Sequence, residues 1–298
     1  MKYLYTANTG SISKIDADTN TMIEEIKVDG MAHNVQVSPD NRILGVTVMN
    51  HHHGMGKALF VDIESDKIVS EITLSEHPAH IDFTKDNKYA VVTSTGDDQV
   101  FVIDLATYSV KGTIGTGKGP HGIRISKDGL AFVANMNADT VSVLDVENMK
   151  EIKKIQVGNA PVQTAVTSNG EKLLVSLSET DELAIVDLAT EAITKLPVGT
   201  TPIQMFIQSD DQLAYVANQG NKEKPGNTVS QIDLESNEVS ATIKVGNGAH
   251  GVVIEKEDKF VYVTNMYDNT VSVIDTASNS EVSVIKVGEN PNGVTFKN

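Results

Sequence analysis

Eight histidines occur in this 298-residue chain, and the spacing of most of them predicts a shared binding site. Four stand at repeat-like intervals, each at the start of a short apolar run, and three more are consecutive. Neutral imidazole is the commonest protein ligand of transition metals, so converging histidines predict a metal centre. The predicted metal ligands are His33, His51, His52, His53, His80, His121 and His250.

Carboxamide side chains take the corresponding place in the remaining repeats. Gln163, Gln204 and Asn292 complete a predicted ring of seven side chains that contains no acid, lysine or leucine. Imidazole and carboxamide groups both accept hydrogen bonds. We therefore expect these three residues, together with Met55, to surround the metal ligands and orient them.

Short β-strands must position these residues, and the last repeat shows them most clearly. Residues 247–288 contain four runs rich in β-branched and aromatic residues, each bounded by turn-forming residues or lysine. Four such strands per repeat are typical of a β-propeller blade, so the pattern predicts an all-β, seven-bladed β-propeller with four antiparallel strands per blade. The third run of each repeat ends in an aspartate, at intervals of 41 to 46 residues: Asp16, Asp62, Asp104, Asp145, Asp187, Asp233 and Asp275.

The two ends of the chain are predicted to close the ring. Residues 2–28 hold three strands of a repeat, and residues 291–296 supply the start of a further one. Pairing of these segments would let the N- and C-terminal strands share blade one and remove the open sheet edges. Because the repeats use the whole chain, we expect a single domain, residues 1–298.

Strand direction predicts that two sets of histidines share one face. The innermost strand of each blade starts at the ring, and the loop between the second and third strands returns to the same side. One long loop of this kind, residues 50–57, carries the three consecutive histidines. Since loops on a rigid scaffold concentrate binding groups, we expect them to fold over the ring.

Two segments resemble the repeat that gives YVTN-type propellers their name. Tyr215-Val216-Ala217-Asn218 and Tyr262-Val263-Thr264-Asn265 resemble the Tyr-Val-Thr-Asn motif, and the chain is similar to the YncE-like members of that family. The resemblance implies a seven-bladed propeller. Family members are often exported, which implies an extracytoplasmic location; Met1 and Lys2 lead straight into a strand, so we expect no signal peptide in this chain.

A metal-binding propeller is the function that these residues favour, with or without redox activity. The chain has no cysteine, so thiolate ligands are excluded. An all-imidazole set favours copper or zinc, and methionines predicted on the same face put copper first and zinc next. We expect weak metal loading below about pH 6, where imidazole is protonated.

Two other functions remain open from the sequence. The first is a lactonase-like hydrolase or lyase that uses a divalent cation, which would need carboxylate and asparagine ligands that do not visibly converge. The second is an interaction scaffold without chemistry. No catalytic residue can be singled out, and the sequence leaves enzyme activity undecided.

The charge of the chain limits its partners. A net charge of −16 argues against nucleic acid, which requires a basic surface. No run of about 20 apolar residues is present, so no membrane insertion is expected. We expect a monomer that binds a metal ion or small molecule at the channel mouth, and a protein partner remains open.

Overall fold

The structure is a computed structural model that describes residues 2–50 and 54–297. Antiparallel strands make up its regular structure within these ranges. The first thirteen are β1 (Tyr3–Asp16), β2 (Thr21–Val37), β3 (Ile43–Met49), β4 (Lys57–Asp62), β5 (Lys67–Thr73), β6 (Pro78–Phe83), β7 (Tyr89–Ser94), β8 (Gln99–Asp104), β9 (Ser109–Gly115), β10 (Pro120–Ile125), β11 (Leu130–Asn135), β12 (Thr140–Asp145) and β13 (Lys150–Gln156). The others are β14 (Pro161–Val166), β15 (Lys172–Leu177), β16 (Glu182–Asp187), β17 (Ile193–Pro197), β18 (Pro202–Ile207), β19 (Leu213–Gly220), β20 (Pro225–Asp233), β21 (Glu238–Lys244), β22 (Ala249–Ile254), β23 (Phe260–Asn265), β24 (Thr270–Asp275), β25 (Ser280–Lys286) and β26 (Val294–Lys297).

These strands form six sheets, so the prediction of seven four-stranded blades is wrong. Five sheets have four strands in chain order: β6 to β9, β10 to β13, β14 to β17, β18 to β21 and β22 to β25. The sixth sheet has six strands in the order β26, β1, β2, β3, β4, β5. The all-β propeller itself is confirmed.

The six-stranded sheet exists because β2 runs without interruption through the predicted boundary between the first two blades. Its first part pairs with β1, from Thr21 opposite Asp16 to Lys27 opposite Ser11. Its last part pairs with β3. Elsewhere a proline, which fixes φ and lacks an N–H donor, often opens the inner strand; in this chain Pro78, Pro120, Pro161 and Pro202 open β6, β10, β14 and β18. The segment before Ala32 contains Gly30 but no proline, so the chain remains extended there.

The predicted closure of the ring by the two ends of the chain is confirmed. β26 pairs antiparallel with β1, from Lys297 opposite Tyr3 to Val294 opposite Thr6. Around the axis the inner strands contact one another in the order β2, β6, β10, β14, β18, β22 and β26, and β26 contacts β2 again. The channel is therefore lined by a continuous ring of inner strands.

The core lies between neighbouring sheets. Alternate residues of each middle strand pack against the next sheet, as Val91 and Val133 do in one shared cluster. The outermost strands are largely exposed, as in β5 and β25. No helix long and apolar enough to cross a membrane occurs in the described ranges.

The repeated aspartates have the turn role that their position predicts. Asp104 Oδ1 accepts the backbone N–H groups of Ala106 and Thr107 at 2.8 and 3.2 Å. Asp187 makes the same turn with Ala189 and Thr190, and these hydrogen bonds lower the pKa of its carboxyl. These aspartates therefore shape the turns that connect the third strands to the outer ones.

Candidate metal centre

A β-bulge in the inner strands turns the ring residues toward the channel. In β10, Pro120 pairs with Asn135 and Ile123 with Val133, so two residues oppose Ala134 alone. The same extra residue occurs in β2, β6, β14, β18 and β22. Bulges re-aim side chains that a regular strand would direct elsewhere. The six ring residues of these strands all lie in their bulges: His33, His80, His121, Gln163, Gln204 and His250.

The ring residues occupy two adjacent bulge positions, and not the single equivalent position that the repeat predicts. His121 comes directly after Pro120, whereas His80 lies one residue farther from Pro78. At the second position of β10 the chain has Gly122, where a Cβ atom would lie 2.1 Å from Gln163 Oε1. Glycine there leaves the space that the neighbouring glutamine fills. Adjacent inner strands can thus place their polar side chains at two different depths.

Three of the predicted ligands meet in one cluster. His33 Nε2 and His121 Nε2 are 3.3 Å apart, and the ring centroids of His80 and His121 are separated by 4.7 Å. One ligand nitrogen from each of His33, His80 and His121 lies within 4.8 Å of the other two. Tetrahedral zinc with bonds of about 2.0–2.1 Å requires nitrogens about 3.3–3.4 Å apart. The first pair already has this spacing, and the third imidazole would have to move closer.

The hydrogen bonds of the cluster assign the imidazole protons. His121 Nδ1 donates a hydrogen bond to the Val162 carbonyl at 3.1 Å, so its Nε2 is free to accept a hydrogen bond from His33 Nε2–H. His33 Nδ1 is then an acceptor, and the Asn292 amide nitrogen lies 3.3 Å from it. The proton shared by the two Nε2 atoms therefore lies where a metal would bind.

His80 has a buried nitrogen that no described residue satisfies. Its Nδ1 lies 3.3 Å from the Gln163 amide nitrogen, and its Nε2 has no hydrogen-bond partner among the described residues. His80 is completely buried. A buried polar atom without a partner is unfavourable unless a ligand, an ion or a water satisfies it.

Burial keeps the four ring imidazoles neutral. It lowers the pKa of His121 to about 4, and burial together with the charge of His121 lowers the pKa of His250 to about 3. Burial and then the neighbouring histidines also lower the pKa values of His33 and His80 well below 6.5. Neutral imidazole is the form that coordinates metals, so protons do not compete for these sites near neutral pH.

The other predicted site residues lie in different places. His250 is buried and interacts electrostatically with His121 and His33, but it is not part of the three-nitrogen cluster. Gln204 is buried, and its amide nitrogen has no partner among the described residues. Met55, predicted to surround the ligands, is 49% exposed. The predicted ligands His51, His52 and His53 lie outside the described residues.

Thr93 is a positioning residue that the sequence reasoning missed. Its hydroxyl accepts the N–H of His80 at 2.9 Å and donates to the carbonyl of His121 at 2.6 Å. The same bridge links other neighbouring inner strands through Thr47, Ser176 and Thr264. A serine or threonine opposite the bulge is a signal in the sequence that could have identified these residues.

Comparison with known proteins agrees with this architecture. The profile of the YNCE-like beta-propeller family matches residues 70–224, which is more than half of the chain. No curated protein sequence matches it significantly. Hydrazine synthase of Kuenenia stuttgartiensis has a similar fold, with a TM-score of 0.79 and 18% identity over 89% of each chain.

Two further solved structures are similar over almost the full length. A functionally unknown protein from Desulfotomaculum acetoxidans DSM 771 has a TM-score of 0.82 and 16% identity, over 99% of this chain and 98% of that one. Apo AztD from Citrobacter koseri has a TM-score of 0.69 and 14% identity, over 99% and 97% of the two chains. Such low identities concern the fold alone. On the match of its own sequence to the family profile, the chain belongs to the YNCE-like β-propeller family.

Proposed function

We propose that this protein binds a copper or zinc ion at one mouth of its channel, through His33, His80 and His121. The observation that carries the proposal is the convergence of three neutral imidazoles, of which His80 is fully buried and the other two are largely buried, with ligand nitrogens within 4.8 Å of one another. His80 Nε2 is buried and has no hydrogen-bond partner among the described residues. A bound ion would satisfy that nitrogen.

Metal binding requires the imidazole protons to move. His33 must carry its proton on Nδ1 in order to coordinate through Nε2. Asn292 Oδ1, which is buried and has no partner among the described residues, can accept that proton once the amide turns by 180°. Such outer partners fix the tautomer and the ring orientation of metal-binding histidines.

Three protein ligands leave one position open on a four-coordinate ion. Closed structural zinc sites usually have four protein ligands, whereas sites with three exchange a water molecule or substrate. His250 is a candidate for a fourth ligand, because its pKa is lowered by the charge of His121 as well as by burial. An open position suits metal delivery or catalysis better than a purely structural role.

Copper and zinc differ in what this site offers them. Copper(II) binds nitrogen ligands more tightly than zinc by the Irving–Williams order, while tetrahedral geometry suits zinc. Met55 is 49% exposed and therefore offers no buried thioether that would favour copper. Among the described residues the one such group of ligating side chains contains no carboxylate, so a lactonase-type cation site gains no support.

The test is metal titration of protein purified without an affinity tag. Calorimetry with Zn²⁺ and Cu²⁺ should give one tight site, and X-ray absorption should give metal–nitrogen distances of about 2.0–2.1 Å. His80→Ala combined with His121→Ala should abolish tight binding. His77→Ala, at an exposed histidine outside the cluster, should leave it unchanged. Equal affinity in the double variant and the parent would contradict the proposal.

Location is a separate proposal, since it depends on the family resemblance alone. We infer an extracytoplasmic site of action, where a metal-binding protein would meet exchangeable ions. Cell fractionation of the native host would test it. Recovery of the protein with cytoplasmic markers would contradict it.

A further inference from the structure

A second set of side chains lines the channel beyond the histidine centre. In four strands each follows directly after the residue at which regular pairing resumes, as Asp82 follows Ile81 and Arg124 follows Ile123. In β2 the corresponding Gln36 lies two residues after Asn34. Five of them border one cavity of about 220 Å³: Gln36, Asp82, Arg124, Ala165 and Phe206. The cavity is therefore a product of the same repeat that builds the metal centre, at a different level of the channel.

Arg124 brings a charge into this cavity that interacts with Asp82 electrostatically but forms no direct ion pair with it. The chain has two arginines, and this one lies in the channel wall. Its Nη1 donates to the Ile123 carbonyl at 3.0 Å, and none of the ion pairs within 4.0 Å in the described part of the chain involves it. Guanidinium has five N–H donors in a planar fork. Most of them are free to bind something in the cavity.

Asp82 does not neutralise Arg124 by direct pairing. Its two carboxylate oxygens accept the backbone N–H groups of Phe83 and Ile125, each at 2.8 Å. These bonds hold the carboxylate against the wall and connect β6 to β10. Burial raises the pKa of this carboxyl, and the charge of Arg124 opposes that shift.

The rest of the wall defines the other half of a ligand. Ile125, Val166, Phe206 and Ile207 give one side an apolar surface, and the exposed Lys85 adds a second cation at the rim. A ligand that matches this lining has one charged group and a short hydrocarbon part.

We propose that this cavity binds a small organic monocarboxylate with an apolar tail. The carboxylate forms paired hydrogen bonds with the Arg124 guanidinium, a geometry that arginine matches better than lysine does. The tail lies against Phe206 and Ile207. A doubly charged phosphate fits less well, because Asp82 would repel it more strongly than a monocarboxylate and the apolar wall would give it no contacts.

The experiment compares four probes of matched size or charge on the intact protein. Hexanoate supplies both carboxylate and tail, hexanamide supplies the tail without charge, and acetate supplies the charge without the tail. Norleucine adds an ammonium group to the same carboxylate and tail. Saturation-transfer NMR and calorimetry should show saturable binding of hexanoate and much weaker binding of the other three.

Variants identify the site. Arg124→Gln should weaken hexanoate binding roughly 10- to 100-fold, because a hydrogen bond to a charged group contributes about 1.5–3 kcal/mol. Arg42→Gln, at the other and exposed arginine, should change nothing. Lys85→Gln, also exposed, should weaken binding by about twofold to fivefold, as expected for an exposed charge worth about 1 kcal/mol or less, even if Arg124→Gln fails to fold.

The opposite results would overturn the proposal. Equal binding of hexanamide and hexanoate would show an apolar cavity in which Arg124 plays no part. Preference for norleucine would assign the cavity to a zwitterion held by Arg124 and Asp82 together. No saturable hexanoate binding to the folded parent protein would rule out a carboxylate site of this kind.

Discussion

The two ends of the channel are built by the same inner strands but treat charge in opposite ways. At the histidine end, the bulges bring His33, His80 and His121 together, and burial keeps them neutral. At the level of the Arg124 cavity, burial cannot make the side chain neutral, because a guanidinium does not lose its proton at any accessible pH. Burial therefore keeps the histidines neutral and able to bind a cation, whereas Arg124 keeps its charge without a direct ion pair in the described part of the chain.

The comparison also shows what a bulge contributes. Within the bulge, either of two adjacent backbone positions can direct a side chain into the channel: His121 uses the first position and His80 the second. After the bulge, regular pairing resumes along the strand, and each strand offers one inward position, such as that of Arg124 or Asp82. Metal chemistry requires side chains to converge, and the doubled position allows it.

The largest expected effect is on the acid stability of the metal-free protein. Each depressed pKa means that the unfolded chain binds more protons than the folded one, so stability is complete above pH 6.5 and falls with acidification toward the folded pKa. For His121, with a folded pKa of about 4, the loss at pH 5 is about 2 kcal/mol. His33, His80 and His250 should add to it, since their pKa values shift in the same direction.

Urea unfolding in the presence of a chelator measures this effect at pH 7 and pH 5. The difference in unfolding free energy should be smaller in the His80→Gln, His121→Gln double variant, because glutamine does not titrate. An equally large difference in that variant would locate the acid sensitivity outside the histidine end.

The next effect concerns the amide that faces His33. Asn292→Ala removes the acceptor for an Nδ1 proton and should lower metal affinity about 10- to 100-fold, as loss of such outer partners typically does. Asn292→Asp should retain tight binding, because a carboxylate accepts that proton without having to turn. Gln204→Ala is the matched control, since its amide nitrogen has no described partner. Equal loss in both alanine variants, measured by calorimetry, would contradict a specific role for Asn292.

A smaller effect is expected at Thr93, which links the backbones of two ligands. Thr93→Val keeps the shape but leaves the His80 N–H without its partner, which costs about 1–3 kcal/mol of stability. We expect metal affinity to fall several-fold as the two imidazoles lose their spacing. Thr93→Ser should restore both properties. Ser230→Ala, at a buried hydroxyl in another sheet, should lower stability without changing metal affinity.

The sequence predicted the repeat, the closure and three histidines that lie together, because hydrophobic alternation and turn residues are local signals. It did not predict that β2 would join two predicted blades into one sheet, since the continuity of a strand through Gly30 depends on pairing on both sides. It also placed the ring residues in one register. A bulge inserts a residue without changing composition, so the shift between His80 and His121 is visible only once the pairing is known.

Arg124 and Asp82 are charged residues inside apolar strands, but no sequence pattern connects them. They are 42 residues apart, and they come together because their strands are neighbours around the channel. The histidines recur from repeat to repeat, and this recurrence predicts a shared site. The cavity at the other level of the channel contains one arginine and one aspartate, so no repeat in the sequence indicates it.

The smallest expected effect is a near absence of pH dependence in metal affinity. Here the structure and the sequence make different predictions for the range below pH 6. Ordinary imidazoles would lose affinity below about pH 6 as protons compete with the metal. In the folded protein burial holds the pKa of His121 at about 4, so the ligands stay neutral well below that point. Competition titrations should therefore give zinc affinities at pH 7 and pH 5.5 that differ by less than about twofold, provided the protein is folded at both. A loss of tenfold or more across this interval would mean that the imidazoles titrate as exposed ones do, and that the ion binds outside the buried cluster.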